Sequence, residues 1–278
     1  MSWLNAILLG IVQGLTEFLP VSSSGHLVLA RNLLGVTPPS EEAKVLWEVV
    51  LHVGTLVAIL VVLRRDVWQV IVGFVRGLAA SRRGLASALR QEEGFALALW
   101  ILLGSIPAGV VGVTFRDFFE RLFESPFLAA GALLVTGTFL FSTRYAHGPR
   151  DKDQVSWLDA IIIGFAQAVA IVPGISRSGA TISAGLFRGV DRGEAARFSF
   201  LLAIPAIAGA AALECRHLAA LPFGDVVPLV VGGVVSAVVG LFALIVLLRI
   251  VRAGRLHSFA YYCWAAGVIA LVWLLAGA

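Results

Sequence analysis

Two short polar stretches interrupt an otherwise apolar chain and hold most of the side chains able to do chemistry. One, Glu17 to His26, reads Glu-Phe-Leu-Pro-Val-Ser-Ser-Ser-Gly-His; the other, Pro173 to Thr181, reads Pro-Gly-Ile-Ser-Arg-Ser-Gly-Ala-Thr. Glu17 and Arg177 are the charges in them. A charge at the centre of a membrane helix costs about 2.5–3.5 kcal/mol on insertion scales, so such groups are functional candidates by default. The plainer reading is an ion pair that only pins two segments together. Ser22, Ser23, Ser24, Ser176, Ser178 and Thr181 stand where helices start. Helix N-termini with hydroxyls and an arginine suit an oxyanion, phosphate best of all, although each serine alone also serves as a helix cap. His26, beside Ser23 and Glu17, fits a general base or acid for a serine nucleophile, or an ordinary satisfied histidine. Gln13 and Glu17, four residues apart, can share a divalent cation. Glu48 and His52 repeat that spacing and can border the mouth of such a site.

The setting is a membrane. Hydrophobic residues make up 59% of the 278 positions and charged residues 14%, against about 25% charged in soluble domains. Mean hydropathy is +0.93. One soluble core of this length cannot hide that much apolar surface, and the apolar runs are too long for barrel strands. The net charge of +4 comes from arginines in loops between apolar runs, which mark topology rather than nucleic-acid binding. Cys215 and Cys263 are far apart, lack metal-ligand spacing and predict no structural disulfide. The N-terminal run lacks a basic leader and carries Gln13 and Glu17, so it reads as mature structure rather than a signal peptide.

The elements that must position the polar stretches follow from lengths. Residues 3–20 and about 24–34 form two helical pieces, each short of the roughly 20 residues a span needs. Pro20 and the serines separate them, which predicts a re-entrant hairpin. Full spans are expected at 45–63, 95–114 and 126–143, with Val67 to Ala80 along the interface and a charged linker at 144–156. The pattern then restarts. Trp3-Leu4-Asn5-Ala6-Ile7-Leu8-Leu9-Gly10 matches Trp157-Leu158-Asp159-Ala160-Ile161-Ile162-Ile163-Gly164, an offset of 154 that also pairs Gln13 with Gln167, Ser22 with Ser176, Ser24 with Ser178 and Gly25 with Gly179. Further spans are expected at about 198–214, 226–248 and 258–277.

The expected fold is therefore an all-α integral membrane protein. It is a single polytopic domain over 1–278, built as an inverted repeat of halves 1–153 and 154–278. Each half is a re-entrant hairpin plus three transmembrane helices, six full spans in all. Placing the 64–94 loop inside puts 15 Lys or Arg inside and 5 outside, with both termini outside. The repeat is not symmetric in chemistry: Glu17 aligns with Ile171, Ser23 with Arg177 and His26 with Ala180. Reactive groups present in one copy each point to one composite site.

The two polar stretches resemble the two signatures of the undecaprenyl-pyrophosphate phosphatase family of the bacitracin-resistance type, and the resemblance extends over essentially the whole chain. The family's Glu/Gln-x-x-x-Glu motif takes its Gln option at Gln13, leaving one carboxylate, Glu17. Its Pro-Gly-x-Ser-Arg-Ser-x-x-Thr motif matches in full at Pro173, Gly174, Ser176, Arg177, Ser178 and Thr181. The resemblance implies hydrolysis of undecaprenyl diphosphate to the monophosphate and phosphate, recycling the lipid carrier of cell-wall polymers and conferring bacitracin resistance. It also implies a divalent cation (Mg2+ or Ca2+) and a multi-pass place in the bacterial cytoplasmic (inner) membrane, with the site opening outward. The partners it implies are the lipid substrate and membrane lipids, with no nucleic acid; a homodimer is left open. On this reading Arg177 holds the phosphoryl group with Gly174, Ser176, Ser178, Thr181 and, from the first stretch, Gln13, Ser22 and Ser24. Ser23 is the nucleophile with His26 as proton partner, and Glu17 orients His26 or, with Gln13, binds the cation. In a variant the metal activates water and Ser23 only binds phosphate. The alternative function is a secondary transporter or polyprenyl-phosphate flippase, since inverted repeats with broken helices also build transporters.

Overall fold

The computed structural model describes residues 3–35, 41–82, 84–146, 154–214 and 223–277; most of the expected linker, with Cys215, lies outside them. No strand occurs among the described residues. The first polar stretch separates α1 (Trp3–Phe18) from α2 (Ser23–Leu34). α1 stops before Pro20. α2 starts on the side chain of Ser22, whose Oγ accepts from the Gly25 N–H at 3.3 Å, and stops at Gly35 with φ +59°. The second polar stretch separates α9 (Trp157–Val169) from α10 (Arg177–Phe187). α9 opens on a reciprocal cap between Ser156 and Asp159, and α10 opens on Ser176, whose Oγ accepts from Gly179 N at 3.1 Å. All four helices are shorter than a bilayer is thick.

Longer helices surround them. α3 (Glu41–Val62) breaks at Leu63 into α4 (Arg64–Ser81), a bend of 82° between Leu46–Val62 and Arg64–Ser81. α4 turns Trp68, Ile71, Val75 and Leu78 outward along one side. The short α5 (Leu85–Gln91) leads to α6 (Glu93–Thr114), and α7 (Arg116–Leu122) leads to α8 (Pro126–Ser142). α11 (Arg192–Glu214), α12 (Phe223–Arg252) and α13 (Phe259–Leu275) complete the chain. Five helices among the described residues are long and apolar enough to cross a membrane, near 93–114, 126–145, 192–213, 226–252 and 256–275; counting the bent pair gives six. The chain is thus a multi-pass helical membrane protein; five of the expected spans fall on these helices, and the one expected at 45–63 falls in the bent pair.

In lipid, helix association depends on close packing more than on expelling water, and small residues carry it here. α1 packs chiefly on α12, and α9 on α6. A Cβ on Gly10 would fall 2.5 Å from the Gly232 carbonyl oxygen, and one on its aligned partner Gly164 would fall 2.3 Å from the Gly104 carbonyl oxygen. The hairpin helices therefore lie nearly backbone to backbone on long helices. The main apolar core fills the space between, where Phe18 meets Phe200 edge-on with centroids 5.7 Å apart.

Gly164→Ala is expected to cost about 1–3 kcal/mol by overpacking, read as a lower thermal midpoint in detergent. Gly109→Ala, with no atom within 4 Å of the new Cβ, is the matched control and should leave the midpoint unchanged. Equal midpoints for the two variants would refute the close-packing account.

Candidate active site

Glu17 sits in the last turn of α1, one turn after Gln13, and both are buried. Its carboxylate is the hub of the site. Oε2 accepts from Ser23 Oγ at 2.6 Å and from Gln13 Nε2 at 3.1 Å. Oε1 takes an ion pair from Arg177 Nη2 on α10. His52 Nε2, on α3, stands 3.4 Å from Oε2. The two polar stretches, 160 positions apart in sequence, therefore meet at one carboxylate. They also touch as backbone: a Cβ on Gly25 would fall 2.9 Å from Gly174 Cα, while Ser22 Oγ donates to the Ile175 carbonyl at 3.4 Å.

A cavity of about 330 Å³ opens beside this hub. Its polar end is lined by Glu17, the three serines 22–24, Glu48, His52, Ser176 and Arg177, and its apolar side by Val49, Phe123, Ile171, Ile175, Ala206 and Ile207 among others. The N-termini of two helices border it. In α2 the N–H groups of Gly25 and His26 are taken by Ser22, and in α10 those of Gly179 and Ala180 by Ser176. The first-turn N–H groups that remain, of Ser23, Ser24, Arg177 and Ser178, are left for an anion. Arg177 Nη1 is buried without a hydrogen-bond partner, so half of its fork is free to take an oxygen.

Not every expected residue reaches the cavity. His26 is a correction: its Nδ1 is 2.8 Å from the Ser22 carbonyl and its Nε2 is 2.8 Å from the Tyr262 hydroxyl on α13. Both ring nitrogens are thereby engaged away from Ser23 and Glu17. The imidazole that touches Glu17 is that of His52, expected only as a border residue. Its Nδ1 is fixed by the Glu48 carbonyl at 2.7 Å, and the Glu48 carboxylate holds Arg31 at 2.8 Å. The spacing of Glu48 and His52 was the only signal in the sequence. Thr181 does not line the cavity either. Its Oγ1 donates to the Arg177 carbonyl at 2.7 Å and pairs with Ser199 at 2.6 Å, tying α10 to α11. Ser178 is buried, its Oγ 3.3 Å from that of Ser176. Gly174 shapes the turn rather than lining the cavity. It has φ +95°, its carbonyl accepts from Thr136 Oγ1 at 2.8 Å, and a Cβ there would strike the Ala129 carbonyl.

Ser22 has φ +68°, the only non-glycine positive φ among the described residues. Such a conformation costs of order 1–3 kcal/mol and persists where the surroundings enforce it.

The same contacts test the expected Mg2+ or Ca2+. Gln13 and Glu17 hydrogen-bond to each other, and the Glu17 oxygens are already shared by Ser23 and a guanidinium. No group of three His, Cys, Asp or Glu able to hold a metal occurs among the described residues. These side chains do not fit a resident cation, and a guanidinium on the one central carboxylate opposes a second positive charge there.

The family described as "Bacitracin resistance protein BacA" matches residues 6–269. The undecaprenyl-diphosphatase of Desulfatibacillum aliphaticivorans is 48% identical over 276 residues, covering 98% of this chain and 99% of that protein. That of Desulfosudis oleivorans is 46% identical, covering 96% and 97%, and that of Desulforapulum autotrophicum 41% identical, again covering 96% and 97%.

Arg177→Ala leaves a buried carboxylate without its guanidinium and is expected to destabilise the protein by about 3 kcal/mol. The double variant Glu17→Gln, Arg177→Gln, which removes both charges, should recover part of that loss in a detergent thermal melt. A double variant less stable than Arg177→Ala would mean the pair is not what holds the two turns together.

Proposed function

The chain belongs to the bacitracin resistance protein BacA family, and on that premise we propose that it is an undecaprenyl-diphosphate phosphatase. It hydrolyses the lipid-carrier diphosphate to undecaprenyl phosphate and phosphate, which returns the carrier to cell-wall synthesis and confers bacitracin resistance. The observation that carries the reading at this site is the Ser23 hydroxyl on the Glu17 carboxylate at 2.6 Å, in a cavity shared with a half-free arginine and two helix N-termini.

The chemistry follows from those contacts. Glu17 Oε2 accepts the Ser23 proton as Ser23 Oγ attacks the terminal phosphorus, and His52, 3.4 Å from the same oxygen, shares that proton. The bond from phosphorus to the bridging oxygen breaks and undecaprenyl phosphate leaves with that oxygen. Arg177 Nη1 and the first-turn N–H groups of α2 and α10 hold the equatorial oxygens, where charge grows. Water then cleaves the phosphoserine and releases phosphate. The apolar side of the cavity suits the first isoprenoid units. A divalent cation, Mg2+ or Ca2+, is proposed to enter only as the counter-ion of the diphosphate, and no step here runs through it. The transporter or flippase alternative is not favoured by the comparisons.

We further propose that the halves 1–153 and 154–278 form an inverted repeat with six spans, set in the bacterial cytoplasmic membrane with both termini and the cavity on the outer side. The paired short helices, the aligned Gly10 and Gly164 contacts and the 15-to-5 division of basic residues support this topology.

Purified protein in detergent should release phosphate from a polyprenyl diphosphate. Glu17→Ala and Arg177→Ala should each lose at least about 100-fold in kcat/KM, and His52→Ala should lose more than His26→Asn. In a quenched single turnover with label in the terminal phosphate, Ser23 should carry the label; phosphate released at full rate with no labelled protein would instead favour water as the nucleophile. For topology, single cysteines at Glu124 and Ala86, with Cys215 and Cys263 replaced by serine, should respectively react with and escape an impermeant thiol reagent on intact cells. The reverse pattern would invert the orientation.

A further inference from the structure

Ser22 and Ser176 are aligned residues with the same local task and different backbones. Each caps a helix by accepting from the N–H three residues on, at 3.3 Å and 3.1 Å. Yet Ser176 is relaxed, with φ −73° and ψ 119°, while Ser22 has φ 68° and ψ 97°. Capping therefore does not require the left-handed conformation. Among the differences between the two turns is His26, which aligns with Ala180 and is the one that binds the Ser22 carbonyl. Its Nδ1 faces the Ser22 carbonyl oxygen at 2.8 Å; a carbonyl oxygen only accepts, so Nδ1 is the donor. The His26 backbone N–H donates to the same oxygen at 3.2 Å. The opposite ring nitrogen, Nε2, pairs with the Tyr262 hydroxyl at 2.8 Å, and the two rings stack with centroids 5.7 Å apart and 14° between planes. Strain and clamp occur together in the half that carries Ser23. Both are missing from the half that carries Arg177 at the aligned position.

We infer that Tyr262 of α13 is a positioning residue for the reaction: through His26 it holds the left-handed turn at Ser22 and so aims the Ser23 hydroxyl. This rests on the reading of Ser23 as nucleophile. Tyr262 fixes the ring plane and tautomer of His26, and His26 fixes the Ser22 carbonyl. The peptide that follows is that of Ser23, whose Oγ must lie on Glu17 Oε2 at one end and face the phosphorus at the other. Relaxing Ser22 to the backbone of Ser176 would swing that peptide and move Oγ off both. Neither His26 nor Tyr262 lines the cavity, so the pair acts on the reaction through the backbone and not by proton transfer.

The test is steady-state kinetics of the full-length protein in detergent, with a polyprenyl diphosphate as substrate. Tyr262 is half-exposed, and Tyr262→Phe keeps the ring while removing the hydroxyl. It is expected to lower kcat about tenfold with KM nearly unchanged, because a small misplacement of a reacting group costs rate rather than binding. His26→Asn keeps an amide N–H near the place of Nδ1 and cannot act as acid or base. It should hold kcat well above His26→Ala, with the wild-type pH profile. Combining Tyr262→Phe with His26→Ala should cost no more than His26→Ala alone, since the two act in series. A Tyr262→Phe enzyme with wild-type kcat overturns the inference, as does a His26→Asn enzyme as slow as His26→Ala with an altered pH profile. If Ser23→Ala retains wild-type turnover, the nucleophile reading fails and this inference falls with it. If only the Tyr262 and His26 results fail, the nucleophile reading stands.

Discussion

The Glu17–Arg177 ion pair is the contact on which the rest of the site depends. Neither charge is tolerable alone in apolar surroundings, because a buried ion without a partner forfeits several kcal/mol of solvation. Each lies at the edge of a helix break, so the pair forms only if both polar turns reach the same depth. Once it forms, the Glu17 carboxylate is fixed in position, accepts from Ser23 and Gln13, and has the imidazole of His52 beside it. Arg177 is left with one nitrogen still to satisfy. A structural ion pair would use up its hydrogen-bonding capacity; this one keeps some in reserve beside a cavity.

Two features let the turns come so close. One is the absence of side chains: Gly25 against Gly174, and Gly10 and Gly164 against long helices, bring backbone to backbone. The other is hydroxyl capping, by which Ser22 and Ser176 satisfy helix starts that water cannot reach. Thr136 does the same for the second turn, donating to the Gly174 carbonyl and accepting from the Ser176 N–H at 3.1 Å. Several of the hydroxyls that look like ligands in the sequence are therefore spent on structure. Thr181 and Ser178 belong to that group, and Ser23 does not, because its hydroxyl goes to the Glu17 carboxylate.

Much of the fold is legible in the sequence. The long apolar runs mark five of the spans, since a bilayer sets their length. The breaks at Pro20 and near Pro173 are equally plain, and the repeated Trp-Leu-Asn/Asp-Ala-Ile start marks where the pattern resumes. The site was legible in outline. Glu17, Ser23 and Arg177 belong together because unpaired intramembrane charges are costly. His26 is near Ser23 in sequence, but nearness in sequence is not nearness of side chains. On a helix three residues on from Ser23, its ring leaves the cavity and meets α13 instead. His52 was seen as a spacing and not as a neighbour of Glu17, because nothing in a single sequence tells which way α3 faces.

By itself, then, the sequence determined a helical membrane chain with two polar breaks, complementary charges and a restart of pattern. These follow from composition and period, which are local properties. The tertiary structure alone decided which imidazole meets the carboxylate, which hydroxyls are free and which residue is held in a left-handed turn. Those depend on how helices rotate against one another. In lipid that rotation is set by the contact of small residues and the pairing of polar groups across the whole chain, and neither can be read from one segment.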